Sequence, residues 1–203
     1  MVPDTRTRMV EAAIVALQRH GVAGMSFTDV LAGSGAARGA IYHHFPGGKA
    51  QLVAEAAQRN GADVQAHLAA LPAGSPREVV EAFLAAVRPV LAASTTGAGC
   101  AVAAVTVGAA AGSDTDDERL RRMAATTFSS WSQALSNRLT AAGLPPGEAA
   151  DLAVTLITLL EGAHVLCRAA GTLEPFDHTV RAAVNLVPGH GGTAASPSRP
   201  AIP

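Results

Sequence analysis

Residues 26–49 read SFTDVLAGSGAARGAIYHHFPGGK, and their reading is two short helices joined by a glycine turn. Ser26 is a good N-cap, and Asp29 three residues on completes a capping-box pattern while placing a negative charge in the first turn, where the helix dipole favours it. Phe27, Val30 and Leu31 supply a short apolar face at i, i+3, i+4. Gly33 and Gly35 end this helix, and Gly35 is free to take the left-handed conformation that reverses the chain. Ala36, Ala37, Gly39 and Ala40 then open a second helix, whose small side chains let a backbone approach a sugar-phosphate strand. Ile41 and Phe45, at i and i+4, anchor it inward. Pro46, Gly47 and Gly48 break it, and Lys49 begins the next helix. With Arg38, Tyr42, His43 and His44 on the second element, this is the layout of a helix-turn-helix that lays its second helix in a DNA major groove.

Composition points the same way. Nearly half of the 203 residues are apolar, much of that alanine, and only 3% are aromatic. Alanine is the best helix former, while strand-type alternation of β-branched and aromatic residues is rare here. The expected class is all-α. The net charge of −1 hides an asymmetry. Residues 1–60 hold six basic against four acidic side chains, and the remainder nine against twelve. That is a mild basic bias at the end carrying the helix-turn-helix, consistent with modest and salt-dependent non-specific DNA affinity. Cys100 and Cys167 have no metal or redox spacing and read as buried thiols of a reducing cytosol. No leader of signal-peptide form is seen, and the longest apolar stretch is interrupted by Glu161 and His164, so no membrane partner is expected and the localisation is cytoplasmic.

Periodicity and breakers divide the chain into nine helices. The first runs from Thr5 to His20, ended by Gly21, with Val10, Ala13, Ile14 and Leu17 as its packing stripe. Helices 2 and 3 are those above. Helix 4 extends from Lys49 to Leu71, before Pro72. Helix 5 starts after Ser75 with Pro76 at its favoured first position, and Pro89 is expected to kink it. Helix 6 spans Cys100 to Ala111, an acidic turn covers Gly112 to Asp117, and helix 7 follows to Ala142. Helix 8 runs from Gly147 to Ala170 and helix 9 from Pro175 to Val187. The Gly, Ser, Pro and Ala composition beyond Pro188 reads as a disordered tail.

The block GAARGAIYHHFPGGKAQL, residues 35–52, resembles the TetR/AcrR family of bacterial transcriptional regulators. The Tyr42-His43-His44-Phe45 run, a turn and Lys49 carry the likeness. The Pro-Gly-Gly-Lys variant, together with Gly99-Cys100-Ala101-Val102-Ala103-Ala104-Val105, is similar to the LmrA/YxaF-like branch. The resemblance implies a helix-turn-helix DNA-binding domain over 1–48, a six-helix ligand-binding and dimerisation domain over 49–187, and the tail over 188–203. It also implies that Thr28, Ala37, Arg38, Ala40, Tyr42, His43 and Lys49 face a double-stranded operator. Positions 37 and 40 are alanine where the family commonly has serine and threonine, which leaves base reading more to Arg38, whose fork suits guanine O6/N7. Tyr42, His43 and Lys49 then clamp phosphates. His44 faces either DNA or the domain junction.

Helix 8 is apolar on nearly all sides and must be covered all round. The resemblance implies a homodimer through helices 8 and 9, which would set two recognition helices about 34–36 Å apart, or a multiple of that. It further implies a cavity for a small-molecule effector, with walls expected at Phe83, Val87, Val102, Val105, Thr106, Phe128, Trp131, Leu135 and His164. Such an apolar, lightly polar lining suits a flat lipophilic or aromatic molecule, and the branch includes regulators answering flavonoids and lincosamide-type drugs. Glu161 and His164 are expected to pair with each other, the alternative being that one of them meets a ligand. His164 and Cys167 lack a third metal ligand, and no nucleophile elbow, zinc-protease motif or phosphate loop occurs, so no catalysis, metal or cofactor is expected. The expected activity is ligand-controlled transcriptional regulation, most simply repression. The alternative is a small-molecule-binding helical module without specific DNA binding, which the alanines at 37 and 40 keep open.

Overall fold

The computed structural model describes residues 3–107 and 115–187. Among the described residues there are nine helices: α1 (Thr5–Gly24), α2 (Phe27–Ser34), α3 (Ala40–His44), α4 (Gly48–Ala69), α5 (Pro76–Ser94), α6 (Ala101–Val107), α7 (Thr115–Ala141), α8 (Pro146–Ala170) and α9 (Glu174–Asn185). The expected tail over 188–203, the end of the expected sixth helix and Asp114 of the acidic turn lie outside the described residues.

Local signals set most boundaries. Asp4 caps α1 by accepting the Thr7 backbone N–H at 3.0 Å. Ser26 and Asp29 form a complete capping box on α2, and Gly35 closes that helix at φ 65°. The same box recurs on α5 between Ser75 and Glu78, followed by Pro76 at the first helical position. α5 continues through Pro89 to Ser94 as one element, with Pro89 on its exposed face.

Two elements differ from the sequence-based expectation. α3 begins at Ala40 rather than near Ala36, because nothing caps the earlier residues and Gly39 supplies no side-chain hydrogen bond to the helix start. Ala37 to Gly39 instead form a turn closed by Ala40 N–H on the Ala37 carbonyl at 2.9 Å. α1 continues three residues past Gly21, but that glycine sits at φ 66°, ψ −176°, a sharp backbone break inside the element.

α1 is the shared beam of the fold, packing against α2, α4 and α6. α4 lies along α7, α7 along α8, and α8 against α5 and α9. One apolar core runs from Met9, Val30, Ile41 and Phe45 at the N-terminal end to Phe83, Leu135 and Leu156. By length and composition α8 is apolar enough to cross a bilayer, yet nine of its residues, from Ala149 to Cys167, are buried in this core.

The α4–α7 seam is the tightest contact. A Cβ at Gly61 would come within 2.5 Å of Thr127 Cγ2, and Trp131 Nε1 donates to the Gly61 carbonyl at 2.8 Å. Gly61→Ala should therefore lower stability by about 1–3 kcal/mol through overpacking, despite alanine's better helix propensity. Thr127→Ser, which deletes the opposing methyl, should recover most of that loss in the double variant. Denaturant melts of the two single variants and the pair check this coupling.

Candidate functional site

The N-terminal surface is built from a buried anchor and an exposed reading edge. Ile41 is 1% and Phe45 0% exposed, and the Arg6 guanidinium lies over the Phe45 ring at 5.1 Å. Between these anchors Tyr42 stands out into solvent at 66% exposure, its ring edge-on to Phe27 at 5.8 Å. Thr28, Ala37, Arg38 and His43 are exposed beside it, and Ala40 and Lys49 are half-buried. Of the residues expected to face DNA, Thr28 lies on α2, Ala37 and Arg38 in the turn region, Ala40, Tyr42 and His43 on α3, and Lys49 at the start of α4. None of the ion pairs among the described residues uses Arg38. Lys49 Nζ donates to the Ala23 carbonyl at 3.4 Å, tying the start of α4 to the end of α1. His44 is half-buried and packs edge-on to His43 at 5.0 Å. Behind the edge, Arg8 Nε donates to the Ser34 carbonyl at 3.0 Å and holds the end of α2 on α1.

The nine expected effector walls fall in different places. Phe83, Val102, Val105, Trp131 and Leu135 are core side chains, each at most 1% exposed. Val87 and Phe128 pack on that core from its margin, Phe128 edge-on to Trp131 at 5.2 Å. Thr106 is exposed and spends its hydroxyl on the Ala103 carbonyl at 2.7 Å. His164 alone of the nine lines an open-mouthed cavity of about 450 Å³ bordered by the end of α1, the segment from Gly99 into α6, and one flank of α8.

Polar chemistry in that cavity departs from expectation. Glu161 and His164 both line it but do not pair, because each meets a different neighbour. His164 Nδ1 shares a hydrogen bond with Ser94 Oγ of α5 at 2.7 Å, and burial pushes its pKa down to about 4. Glu161 lies against the Cys100 thiol, and its Oε1 is buried with no hydrogen-bond partner among the described residues. Desolvation raises the Glu161 carboxyl to about 7, and the same burial pushes the Cys100 thiol far up, leaving it a neutral, unreactive sulfur. Sequence reasoning reached this groove only through His164 on α8, because its other walls come from segments distant in the chain. The other available signal was an acidic residue inside an otherwise apolar helix.

Comparison with known proteins bears on both surfaces. The pattern described as bacterial regulatory proteins, tetR family, matches residues 9–56. The pattern described as transcriptional regulator LmrA/YxaF-like, C-terminal domain, matches residues 76–182. An uncharacterized HTH-type transcriptional regulator of Mycobacterium tuberculosis is 38% identical over 185 residues, covering 90% of this chain and 93% of the relative. The HTH-type transcriptional regulator LmrA of Bacillus subtilis is 25% identical over 177 residues, with 86% and 92% covered. Among solved structures, a TetR transcriptional regulator from Legionella pneumophila has a TM-score of 0.75 at 21% identity, over 91% of this chain and 97% of that one. The TetR-family regulator CifR, solved with double-strand operator DNA, has a TM-score of 0.66 at 21% identity, over 93% and 99%. With the reading edge, the all-helical core and both halves of the sequence in agreement, the chain belongs to the TetR family of DNA-binding transcriptional regulators and carries an LmrA/YxaF-like C-terminal domain.

Proposed function

We propose that the protein acts in the cytoplasm as a homodimeric repressor that a small lipophilic effector releases from its operator. The observation that carries the reading is the exposure of Arg38, on the turn that leads into α3, and of Tyr42 and His43, on a short helix pinned by Ile41 and Phe45. Arg38 reads a guanine through its bidentate fork. Tyr42, His43 and Lys49 grip phosphates, and Thr28, Ala37 and Ala40 keep the protein surface close to the strand. CifR, a structural neighbour, was solved with double-strand operator DNA, which supports duplex DNA as the partner.

Dimerisation is supported by the outer face of α8. Val154 and Leu166 are 55% and 56% exposed there, and Gly162 between them is also exposed. Leu186, just past α9, adds a further exposed apolar side chain at 51%. A second copy laid on α8 and α9 would cover this stripe, with Gly162 allowing close helix approach. In the dimer, α4 joins each DNA-binding unit to the larger domain and acts as the lever. An effector shifts the DNA-competent geometry only through its differential affinity for the two states. Moving occupancy from almost fully bound to almost fully free takes about 5.5 kcal/mol of such bias.

Two predictions test the reading. In mobility-shift titrations on the promoter beside its own gene, Arg38→Ala should weaken operator binding by about 1–3 kcal/mol and relax specificity, whereas Lys49→Ala should weaken all sequences alike and lower the log-log salt slope by about one. Binding that Arg38→Ala leaves untouched would instead favour a helical ligand-binding module without specific DNA contact. Leu166→Glu should convert the dimer to monomer in sedimentation velocity and remove tight operator binding, since a buried unpaired carboxylate is strongly disfavoured in such a seam.

A further inference from the structure

The cavity between α1, α6 and α8 differs in kind from the apolar core that was expected to hold an effector. Its size is that of an ordinary small-ligand site, and its inner walls are apolar, with Leu17, Val22, Ala103 and Ala104 among them. Glu161 is its one acidic wall residue, while Arg19, His20 and Arg168 line it as well. A buried carboxyl oxygen without a donor is costly unless something fills that role. The carboxyl's one neighbouring donor is the weak Cys100 thiol, and the basic side chains disfavour a cation, so a stronger donor is better supplied by a neutral O–H or N–H.

The place of the cavity gives it leverage. Its upper wall is the end of α1 after the break at Gly21, and α1 carries the helix-turn-helix. Two hydrogen bonds tie that wall to the larger domain: Gly99 N–H donates to the Gln18 carbonyl at 2.8 Å, and Arg168 Nη2 to the Arg19 carbonyl at 3.5 Å. A molecule lodged there touches both halves of the protein at once.

Resting on the effector-released reading above, we infer that the α1–α6–α8 cavity is an effector site for a neutral lipophilic molecule bearing one hydroxyl or N–H donor, which Glu161 accepts. Occupation acts on the α1 junction itself, so it biases the orientation of the DNA-binding unit directly.

The test uses the full-length dimer and a matched pair of probes, 4-butylphenol and its methyl ether 4-butylanisole, which differ only in the donor. By calorimetry the phenol should bind the wild type about tenfold more tightly than the ether. Glu161→Leu should erase that preference while both probes still bind. Ala104→Phe should fill the cavity and abolish binding of both, and Ala23→Phe, which closes it from the α1 side, serves should the first variant fail to fold. A preference for the phenol that persists in Glu161→Leu, or binding undiminished in the filled variants, overturns the assignment. Probe binding that obeys these rules but leaves operator affinity unchanged refutes effector release and leaves the site standing. Operator release by the phenol that survives the filled variants refutes the site and leaves effector release standing.

Glu161 also predicts a pH signature. Its folded-state pKa of about 7 lies above the ordinary 4.5, so the stability present below 4.5 is lost as pH rises through 7. His164 works oppositely, since its value near 4 lies below the ordinary 6.5, and its contribution is lost as pH falls. The groups facing Glu161 are Cys100 before α6, His164 and Arg168 on α8, and Arg19 and His20 on α1. The melting temperature of Glu161→Leu relative to wild type should therefore climb between pH 4.5 and 7 and level off above. A difference that stays flat across that window means the carboxyl is solvated and the acceptor role is wrong.

Discussion

A helix of five residues cannot hold itself together, and the function of this protein rests on one. Nucleating a helical turn carries a factor of about 10⁻³, near 4 kcal/mol. α3 has no side-chain cap to offset that cost. What holds it is the burial of Ile41 and Phe45, worth about 1.5–3 kcal/mol for each side chain, with the Arg6 guanidinium over the Phe45 ring adding a cation–π contact. The sums are comparable, so the anchors suffice with little to spare. Tyr42 and His43 are presented outward because their neighbours Ile41 and Phe45 are held inward, and Arg38 is exposed on the turn that leads into α3.

Those anchors insert beside α1, which makes α1 the element on which every other relationship depends. Its one face receives α2 and α4, and its end meets α6. The Arg8 bond to the Ser34 carbonyl fixes α2 to it, and the Arg6–Glu55 ion pair fixes α4. Gly21 then breaks the helix at a backbone conformation essentially confined to glycine. A straight continuation would place Val22 and Ala23 elsewhere. The break instead lays them at the border of the α6–α8 groove.

What could be read from the chain was what adjacent residues decide. The Ser26–Asp29 box, the left-handed Gly35, and the Ser75–Glu78 box ahead of Pro76 are each settled within four positions, and each appears as read. The same is true of the inward anchors Ile41 and Phe45, which lie four residues apart and are both buried. Readings that needed long-range information fared differently. Glu161 and His164 look like partners at i and i+3, yet His164 finds Ser94 seventy positions away. Trp131 is expected among the effector walls, yet Gly61, also seventy positions away, takes its N–H. The start of α3 slipped because small residues were read as helix formers where no cap exists to begin a helix.

Among the described residues two buried side-chain atoms lack a hydrogen-bond partner, Arg138 Nε and Glu161 Oε1, and only the second belongs to a residue lining the α1–α6–α8 groove. Had Glu161 served only packing, an apolar residue of similar volume would fit the flank of α8 with no desolvation penalty. Its neighbour His164 shows what satisfaction looks like here: a neutral ring, a 2.7 Å partner, and no outstanding group. Glu161 has the thiol of Cys100 on one side and no donor for Oε1. Strain of this kind persists where the structure gains something other than stability from it. Placed between the helix that carries the DNA-reading edge and the helix that offers a face for a second copy, an unfilled acceptor is where a small molecule gains most from binding and where its binding bears on both neighbours. The same desolvation that lifts the carboxyl toward neutrality strengthens any hydrogen bond it accepts, so the selectivity for a donor and the cost of leaving it unmet have one physical origin.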